Sequence, residues 1–390
     1  MSPLANSYVT PDRLNCSEKY YPLHVYVSEE DFLVQLEEFE SPEHIFQDYA
    51  YFSSYSDSWL RHAKAYADLM VERLGLGPTS QVIEIASNDG YLLQYFHEKG
   101  IPVLGIEPAA NVAEVAREKG IATRVEYFGK KFSNELCGEG VQADLLVGNN
   151  VLAHVPDLND FVAGLKLVLK PNGVLTMEFP HLLQLIQQNQ FDTIYHEHFS
   201  YFSLIAVEKV FAAHGLTLFD VEELQTHGGS LRIYGRHSES AAPAVSRRIT
   251  ELRQKEVDAG LLRMETYLQF GEKVKEAKRK LLKFLVDAKD NGKTIVGYGA
   301  PAKGNTLLNY CGIGTDFIDY TVDRSPHKQG RFLPGTHIPI LHPDVIRETR
   351  PDYLLILPWN LKAEIMEQMS FIREWGGKFV VPIPEVQVCP

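Results

Sequence analysis

Gln81-Val82-Ile83-Glu84-Ile85-Ala86-Ser87-Asn88-Asp89-Gly90 decides the fold of this 390-residue chain. Three branched apolar residues broken by one acid, then a Ser-Asn-Asp-Gly turn, read as a buried strand that stops abruptly. Before it, from residue 60 to 74, apolar residues recur at helical spacing, and after it a helix is predicted over 91–99. The pattern then repeats. Val103-Leu104-Gly105-Ile106 is a strand ending at Glu107-Pro108, and 110–119 is a helix. Asp144-Leu145-Leu146-Val147-Gly148 is a strand ending at Asn149-Asn150. A helix over 158–169 and a turn at Pro171-Asn172-Gly173 lead to a strand over 174–179. Strands alternating with helices predict an α/β fold whose central part is a doubly wound parallel sheet.

Further along, the pattern changes. Leu231-Arg232-Ile233-Tyr234-Gly235 predicts an edge strand, and 246–290 is charged with helical periodicity. A second α/β unit begins with a strand over 294–298 and continues through Asp319-Tyr320-Thr321-Val322-Asp323, Tyr353-Leu354-Leu355-Ile356-Leu357 and Lys378-Phe379-Val380-Val381. The expected organisation is an N-terminal region over 1–58, a central domain over 59–245, connecting helices over 246–290 and a C-terminal Rossmann-like domain over 291–390.

Composition narrows the function classes. Net charge is −13 and no basic block stands out, so nucleic acid is not an expected partner. The four cysteines, Cys16, Cys137, Cys311 and Cys389, are scattered without a CxxC pair, and no metal site is predicted from them. No apolar run reaches the roughly 18 residues of a membrane span. The start, Met1-Ser2-Pro3-Leu4, lacks the basic and apolar parts of a signal peptide, so a cytoplasmic protein without a membrane partner is expected. The oligomeric state is not fixed by the sequence, and a monomer is compatible with it.

In doubly wound sheets, ligands sit at the carboxyl ends of the strands. Here those ends offer Glu84, Ser87-Asn88-Asp89-Gly90, Glu107-Pro108 and Asn149-Asn150. Gly90 lets backbone approach a ligand, and Glu107 can accept both hydroxyls of a ribose. Asn88 and Asp89 stand where the pyrophosphate of a dinucleotide would lie; they repel an anion and tolerate a cation. A sulfonium cofactor, S-adenosylmethionine, fits this set better than NAD.

The second unit holds Gly297-Tyr298-Gly299-Ala300-Pro301-Ala302, with Asp323 about 25 residues on. Three readings stand: an NAD-linked oxidoreductase, a tight turn that needs small residues for packing, or a cradle, with Lys303 and Asn305, for the diphosphate of a nucleotide-linked substrate. Between the two units lies Tyr195-His196-Glu197-His198-Phe199-Ser200-Tyr201-Phe202. Its imidazoles suit proton abstraction near neutral pH; a metal site or a buried structural pair are the other readings, and HxxxH spacing is absent. His154 follows the Asn149-Asn150 strand end, and His181 follows the next strand. His214 and His227 have no such placement and are read as structural. Tyr49-Ala50-Tyr51-Phe52-Ser53-Ser54-Tyr55-Ser56 is dense in rings and hydroxyls and reads either as a lid that cages a sulfonium or as core.

These residues carry a resemblance. The chain is similar, over nearly its whole length, to the sugar C-methyltransferases of deoxysugar biosynthesis, which act at C-3 of nucleotide-linked 4-keto sugars, as in the tetronitrose and mycarose pathways. The stretches concerned are Pro3-Leu4-Ala5-Asn6, residues 48–56, 84–90, 149–154, 195–203 and 298–305. The resemblance implies a zinc-binding N-terminal region, a central S-adenosylmethionine domain and a C-terminal domain that helps hold a sugar nucleotide, dTDP-linked by expectation. It implies His198 as the base, Tyr195 and Glu197 as its supports, and His154 and Tyr49 facing the sugar, with His154 at the enolate oxygen. Ser53 and Ser56 would join the cofactor site, and Tyr201, Lys303 and Asn305 the substrate site. The alternatives are an NAD-dependent oxidoreductase or an O- or N-methyltransferase of a sugar nucleotide. One departure is evident: the family's two N-terminal cysteine pairs are missing, and Ser28 and Asp31 stand for the second, so four-thiolate zinc binding is excluded.

Overall fold

Alternation along the first strands settles which sheet they build. Ile83 and Ile85 pack with Ile106, Leu146, Leu175 and Met177 in one core, while Val82 packs with Leu145, Val147 and Val174 in another. A sheet covered on both faces is what such near-continuous apolar strands require. The computed structural model describes residues 1–41, 53–55 and 57–390; Tyr49 and Ser56 lie outside the described residues. The chain divides into two compact units.

One unit comprises Val27–His181 and Phe199–Leu262. Its main sheet has seven strands: β1 (Val82–Ile85), β2 (Val103–Ile106), β3 (Thr123–Arg124), β4 (Ala143–Asn149), β5 (Leu169–Pro180), β6 (Leu216–Leu224) and β7 (Ser230–His237), in the order β3-β2-β1-β4-β5-β7-β6. The first five run parallel, and β7 is antiparallel to both β5 and β6. The expected edge strand at 231–235 is therefore an inner strand, and β6 is the edge. The charge in this inner strand is accommodated by pairing: Arg232 is buried, bonded to Glu178 and Glu222, with its guanidinium 4.7 Å from the Tyr66 ring centroid. The helices follow their local signals. Asp157 accepts from the Asp160 N–H to cap Leu158–Val168, and Ser203 accepts from Ala206 to cap Leu204–Ala213.

The other unit comprises Met1–Tyr26, Leu182–His198 and Arg263–Pro390. Its sheet holds β8 (Ile295–Tyr298), β9 (Thr321–Val322), β10 (Ile340–Leu341), β11 (Tyr353–Ile356), β12 (Lys378–Val381) and β13 (Gln387–Cys389), in the order β10-β9-β8-β11-β12-β13, with only β13 antiparallel among these. The helix Met264–Asp290 buries Val274, Ala277, Leu281, Leu285 and Ala288, spaced three or four apart along one stripe.

The segment Leu182–His198 groups with this second sheet, although the sequence boundaries placed it in the central domain. Phe191 belongs to the same core as Leu285, Leu307 and Ile356. Trp359 Nε1 donates to the buried carboxylate of Asp192 at 2.7 Å, and Asn189 Nδ2 donates to the Pro384 carbonyl at 3.2 Å. The N-terminal segment is tied in as well: Val9 pairs with Phe332, and Asn305 Nδ2 donates to the Ala5 carbonyl.

Candidate active site

In the first unit, the turn after β1 is built around two acids. Glu107, at the end of β2, accepts from the Asn88 N–H at 3.0 Å through one oxygen and from the Ala109 N–H at 2.8 Å through the other. Each oxygen keeps a second lone-pair direction for a ligand hydroxyl. Burial pushes the Glu107 carboxyl up to about 7, against the pull of those two N–H groups. Burial likewise lifts Glu84 well above the usual carboxylate range, opposed by Tyr91 and reinforced by Glu107 and Asp89. Asn88 adopts φ 49 and accepts from the Ser53 N–H through Oδ1 at 2.9 Å. Asp89 receives Lys119 Nζ at 3.3 Å and the Ser54 N–H at 3.3 Å. Gly90 sits at φ +75, and a Cβ there would lie 3.2 Å from Ile121 and 3.3 Å from Ala116. Only glycine lets the helix Ala110–Glu118 pack this closely against the turn at that backbone angle.

Across the sheet, Asn149 ends β4 and lies level with Glu178 of β5. The Asn149 Oδ1 and Ser87 Oγ atoms are buried with no hydrogen-bond partner among the described residues. Buried polar atoms left open at strand ends fit a polar cofactor such as S-adenosylmethionine. Asn150, at φ 55, places Nδ2 3.3 Å from His227 Nε2. His154 is half-buried at the end of the short helix Leu152–His154, and Pro108 is half-buried beside Glu107. Tyr201 is buried in the strand Ser200–Tyr201, opposite Val34. Sequence reasoning missed several neighbours. Trp59 stacks on His62, with ring centroids 4.9 Å apart, and meets His227 edge-on. His62 Nε2 lies 2.9 Å from Glu178 Oε2. Burial raises the Glu178 carboxyl, but His62 and Arg232 bring it below its ordinary value. His181 is structural: it meets Glu256, which caps the helix Leu204–Ala213 through the Leu204 and Ile205 N–H groups.

In the second unit, the segment Leu182–His198 ends in a tight turn closed by the His198 N–H on the Tyr195 carbonyl. His198 is 9% exposed, and its Nδ1 lies 3.0 Å from the Thr193 carbonyl oxygen. A carbonyl only accepts, so Nδ1 carries the proton and the Nε2 lone pair is the basic site. The Tyr195 ring lies 4.2 Å from the imidazole, tilted by 34°. Glu197 is 4% exposed, and its Oε1 accepts from Asn6 Nδ2 at 2.6 Å. Burial raises its carboxyl to about 7, with Asn6 and Lys328 acting the other way. His196 donates from Nε2 to the Pro22 carbonyl at 3.0 Å and meets Tyr21 edge-on. It fastens the N-terminal segment, a task the sequence reading did not foresee.

The Gly297–Ala302 turn is closed by the protein itself. Ala300 donates its N–H to Asp323 at 2.7 Å, and its carbonyl accepts from Tyr8 at 2.6 Å and Lys328 at 2.9 Å. The other Asp323 oxygen accepts from the Ser325 N–H. A Cβ on Gly299 would lie 2.6 Å from Pro358, and one on Gly304 2.9 Å from Leu357. The small residues thus serve close packing, and the acid a dinucleotide would need for its ribose is engaged by backbone. Lys303 Nζ donates to Asn360 at 2.8 Å and stands 4.6 Å from the Trp359 ring centroid. Burial lowers its pKa, opposed by Asp192. Asn305 is buried beneath Ala5, and its Oδ1 has no hydrogen-bond partner among the described residues.

Comparison with known proteins adds family evidence. A model described as "Methyltransferase domain" matches residues 59–221, and one described as "C-methyltransferase C-terminal domain" matches 225–384. A third, "Putative zinc binding domain", matches 1–46. The chain is 37% identical over 395 residues to the C-methyltransferase NovU of Streptomyces niveus, covering 99% of this chain and 92% of that one. Solved structures that resemble it include magnesium protoporphyrin IX methyltransferase of Synechocystis PCC 6803 (14% identity, 46% of this chain and 83% of that one, TM-score 0.36) and the CcbJ methyltransferase of Streptomyces caelestis (14%, 45% and 89%, TM-score 0.36).

Zinc does not fit the described residues of this N-terminal region. Cys16 is its single cysteine, and among the described residues no group of three His, Cys, Asp or Glu could hold a metal ion. The turn at Ser28 is braced by hydrogen bonds instead. Ser28 Oγ accepts from the Glu30 and Asp31 N–H groups at 3.3 and 3.4 Å, and Asp31 Oδ1 accepts from Leu33 at 3.1 Å. Exhaustive dialysis against a chelator is expected to leave the thermal unfolding midpoint unchanged, whereas Ser28→Ala costs about 1 kcal/mol. A fall of several degrees on chelation would contradict this.

Proposed function

The chain belongs to the C-methyltransferase family, and on that premise we propose that it methylates C-3 of a nucleotide-linked, dTDP-type 4-keto deoxysugar by way of an enolate. The methyl donor is S-adenosylmethionine, held by Glu84, Ser87–Gly90, Glu107, Pro108, Asn149 and Asn150, with Ser53 beside them. Bound there, it supplies an electrophilic sulfonium methyl group for a carbon nucleophile. Everything else in the reaction is the making of that nucleophile.

A C–H next to a ketone is acidic because the carbanion delocalises onto oxygen. His198 removes this proton through Nε2, and the observation that carries the reading is the Nδ1–Thr193 hydrogen bond, which fixes the imidazole as the tautomer a base requires. Tyr195 holds the ring from its face. Glu197, next in the chain, favours the imidazolium that forms when it is a carboxylate. His154 steadies the developing enolate oxygen. Tyr201 and Lys303 contact the acceptor, Lys303 as the cation for its diphosphate, with Asn305 behind it. Methyl transfer to oxygen or nitrogen needs no ketone-derived enolate.

The experiment is solvent deuterium exchange at C-3 of a 4-keto sugar nucleotide with S-adenosylhomocysteine bound. The expected outcome is exchange without methyl transfer, absent for the 4-hydroxy analogue. An absence of exchange with every 4-keto sugar nucleotide offered would contradict the enolate mechanism.

A further inference from the structure

The N-terminal segment has no part in the chemistry above, yet it touches the segment that bears the base. Asn6 is exposed to solvent, and its amide nonetheless donates to the buried carboxylate of Glu197 at 2.6 Å. The chain on either side of Asn6 is anchored. The Ala5 carbonyl before it accepts from Asn305 Nδ2, which lies in the helix Ala302–Cys311. Tyr8 after it donates to the Ala300 carbonyl, with its hydroxyl 3.2 Å from Asn6 Oδ1. Lys328 donates to that same carbonyl and lies 5.3 Å from the Tyr8 ring centroid. Two anchors on the second sheet's turn and helix thus present one amide to one carboxylate.

We propose that Asn6 is a positioning residue for proton abstraction: it holds the Glu197 side chain in place and keeps it in its carboxylate form. The inference rests on the reading of His198 and Glu197 given above. An amide N–H can only donate, so it stabilises the oxygen best when that oxygen is charged. Among the described residues, the groups that face Glu197 are few. Lys328 is the cation that favours its ionised form, Tyr8 is a phenol that burial keeps neutral, and His196 and His198 flank it in the chain. Loss of the Asn6 amide leaves Lys328 to oppose burial among the described residues. Glu197 then holds its proton to higher pH, and the carboxylate form that supports His198 is reached later.

The pH profile of C-3 deuterium exchange tests this, measured on the full-length protein with S-adenosylhomocysteine bound. For Asn6→Ala, kcat should fall about 10-fold with KM within about 3-fold, and the acid limb should move up by about one pH unit. Asn6→Asp should move it further, since two carboxyl groups at that separation cannot both ionise. Tyr8→Phe should shift it in the same direction by less. Glu197→Gln should remove the Glu197 contribution and leave the limb set by protonation of His198 itself, and adding Asn6→Ala to it should neither move that limb nor cost anything more. If Glu197→Gln slows exchange while Asn6→Ala keeps the wild-type rate and limb, the role of Asn6 is refuted and that of Glu197 stands. If Glu197→Gln keeps the wild-type rate and limb, both fall. Equal thermal unfolding midpoints for wild type and Asn6→Ala separate these outcomes from loss of fold.

Discussion

His198→Asn is expected to lower C-3 deuterium exchange by about 1,000-fold or more, within the range that general-base catalysis supplies. The choice of asparagine matters. Its Nδ2 occupies the place of the imidazole Nδ1–H and can still donate to the Thr193 carbonyl, so the local turn keeps its hydrogen bond. What disappears is the basic nitrogen at the Nε2 position. S-adenosylmethionine affinity should stay within about 2-fold of wild type, because the residues proposed to hold the cofactor belong to the other compact unit. Binding by calorimetry and exchange by NMR together read both halves of the expectation. Exchange retained in His198→Asn moves the base elsewhere, with His154 the next group to replace.

Glu107→Gln is expected to weaken S-adenosylmethionine binding by about 10- to 100-fold. Both carboxylate oxygens accept backbone N–H groups, from Asn88 and Ala109. A glutamine offers one carbonyl and one NH2, and the NH2 must face a second donor. Losing one such charge-assisted bond and leaving a buried donor unmet costs about 1–3 kcal/mol. The variant also loses acceptors for ribose hydroxyls. Burial brings the Glu107 carboxyl to about 7, and binding favours the ionised form. Wild-type affinity should therefore fall as pH drops through 7, and the glutamine variant should lose that component. Equal affinities for the two proteins across pH 6–8 would remove Glu107 from the cofactor site.

Much of the architecture could be read in the sequence because its signals are local. The strands β1, β2 and β4 carry apolar runs that end in Asn, Asp, Glu or Gly, and their carboxyl ends meet on one side of a parallel sheet. Other elements were hidden for physical reasons. The strand β7 is an inner strand although the sequence reads as an edge; its Arg232 is buried against Glu178 and Glu222, and a buried charge has the same letter code as a solvated one. The Gly297–Ala302 turn resembles a dinucleotide fingerprint because close packing of Gly297 against Thr321 and of Gly299 against Pro358 asks for the same small residues as a pyrophosphate does. The grouping of Leu182–His198 with the second sheet depends on Trp359 meeting Asp192, 167 residues away. The Asn6–Glu197 contact spans 191 residues. No periodicity encodes such pairs. In the candidate site, imidazole chemistry drew attention to the His196–His198 stretch and the family resemblance singled out His198, whereas Thr193, whose carbonyl lies 3.0 Å from Nδ1, acts through a backbone group that any residue could supply.

The central claim is carbon methylation beside a ketone, and the position of the transferred methyl tests it most directly. The protein is incubated with S-adenosylmethionine labelled with 13C in its methyl group and a dTDP-linked 4-keto deoxysugar, and the product is analysed by NMR. The predicted result is a 13C methyl bonded to C-3, with no product from the 4-hydroxy sugar. A label found on oxygen or nitrogen, or transfer that proceeds equally without the ketone, would contradict it.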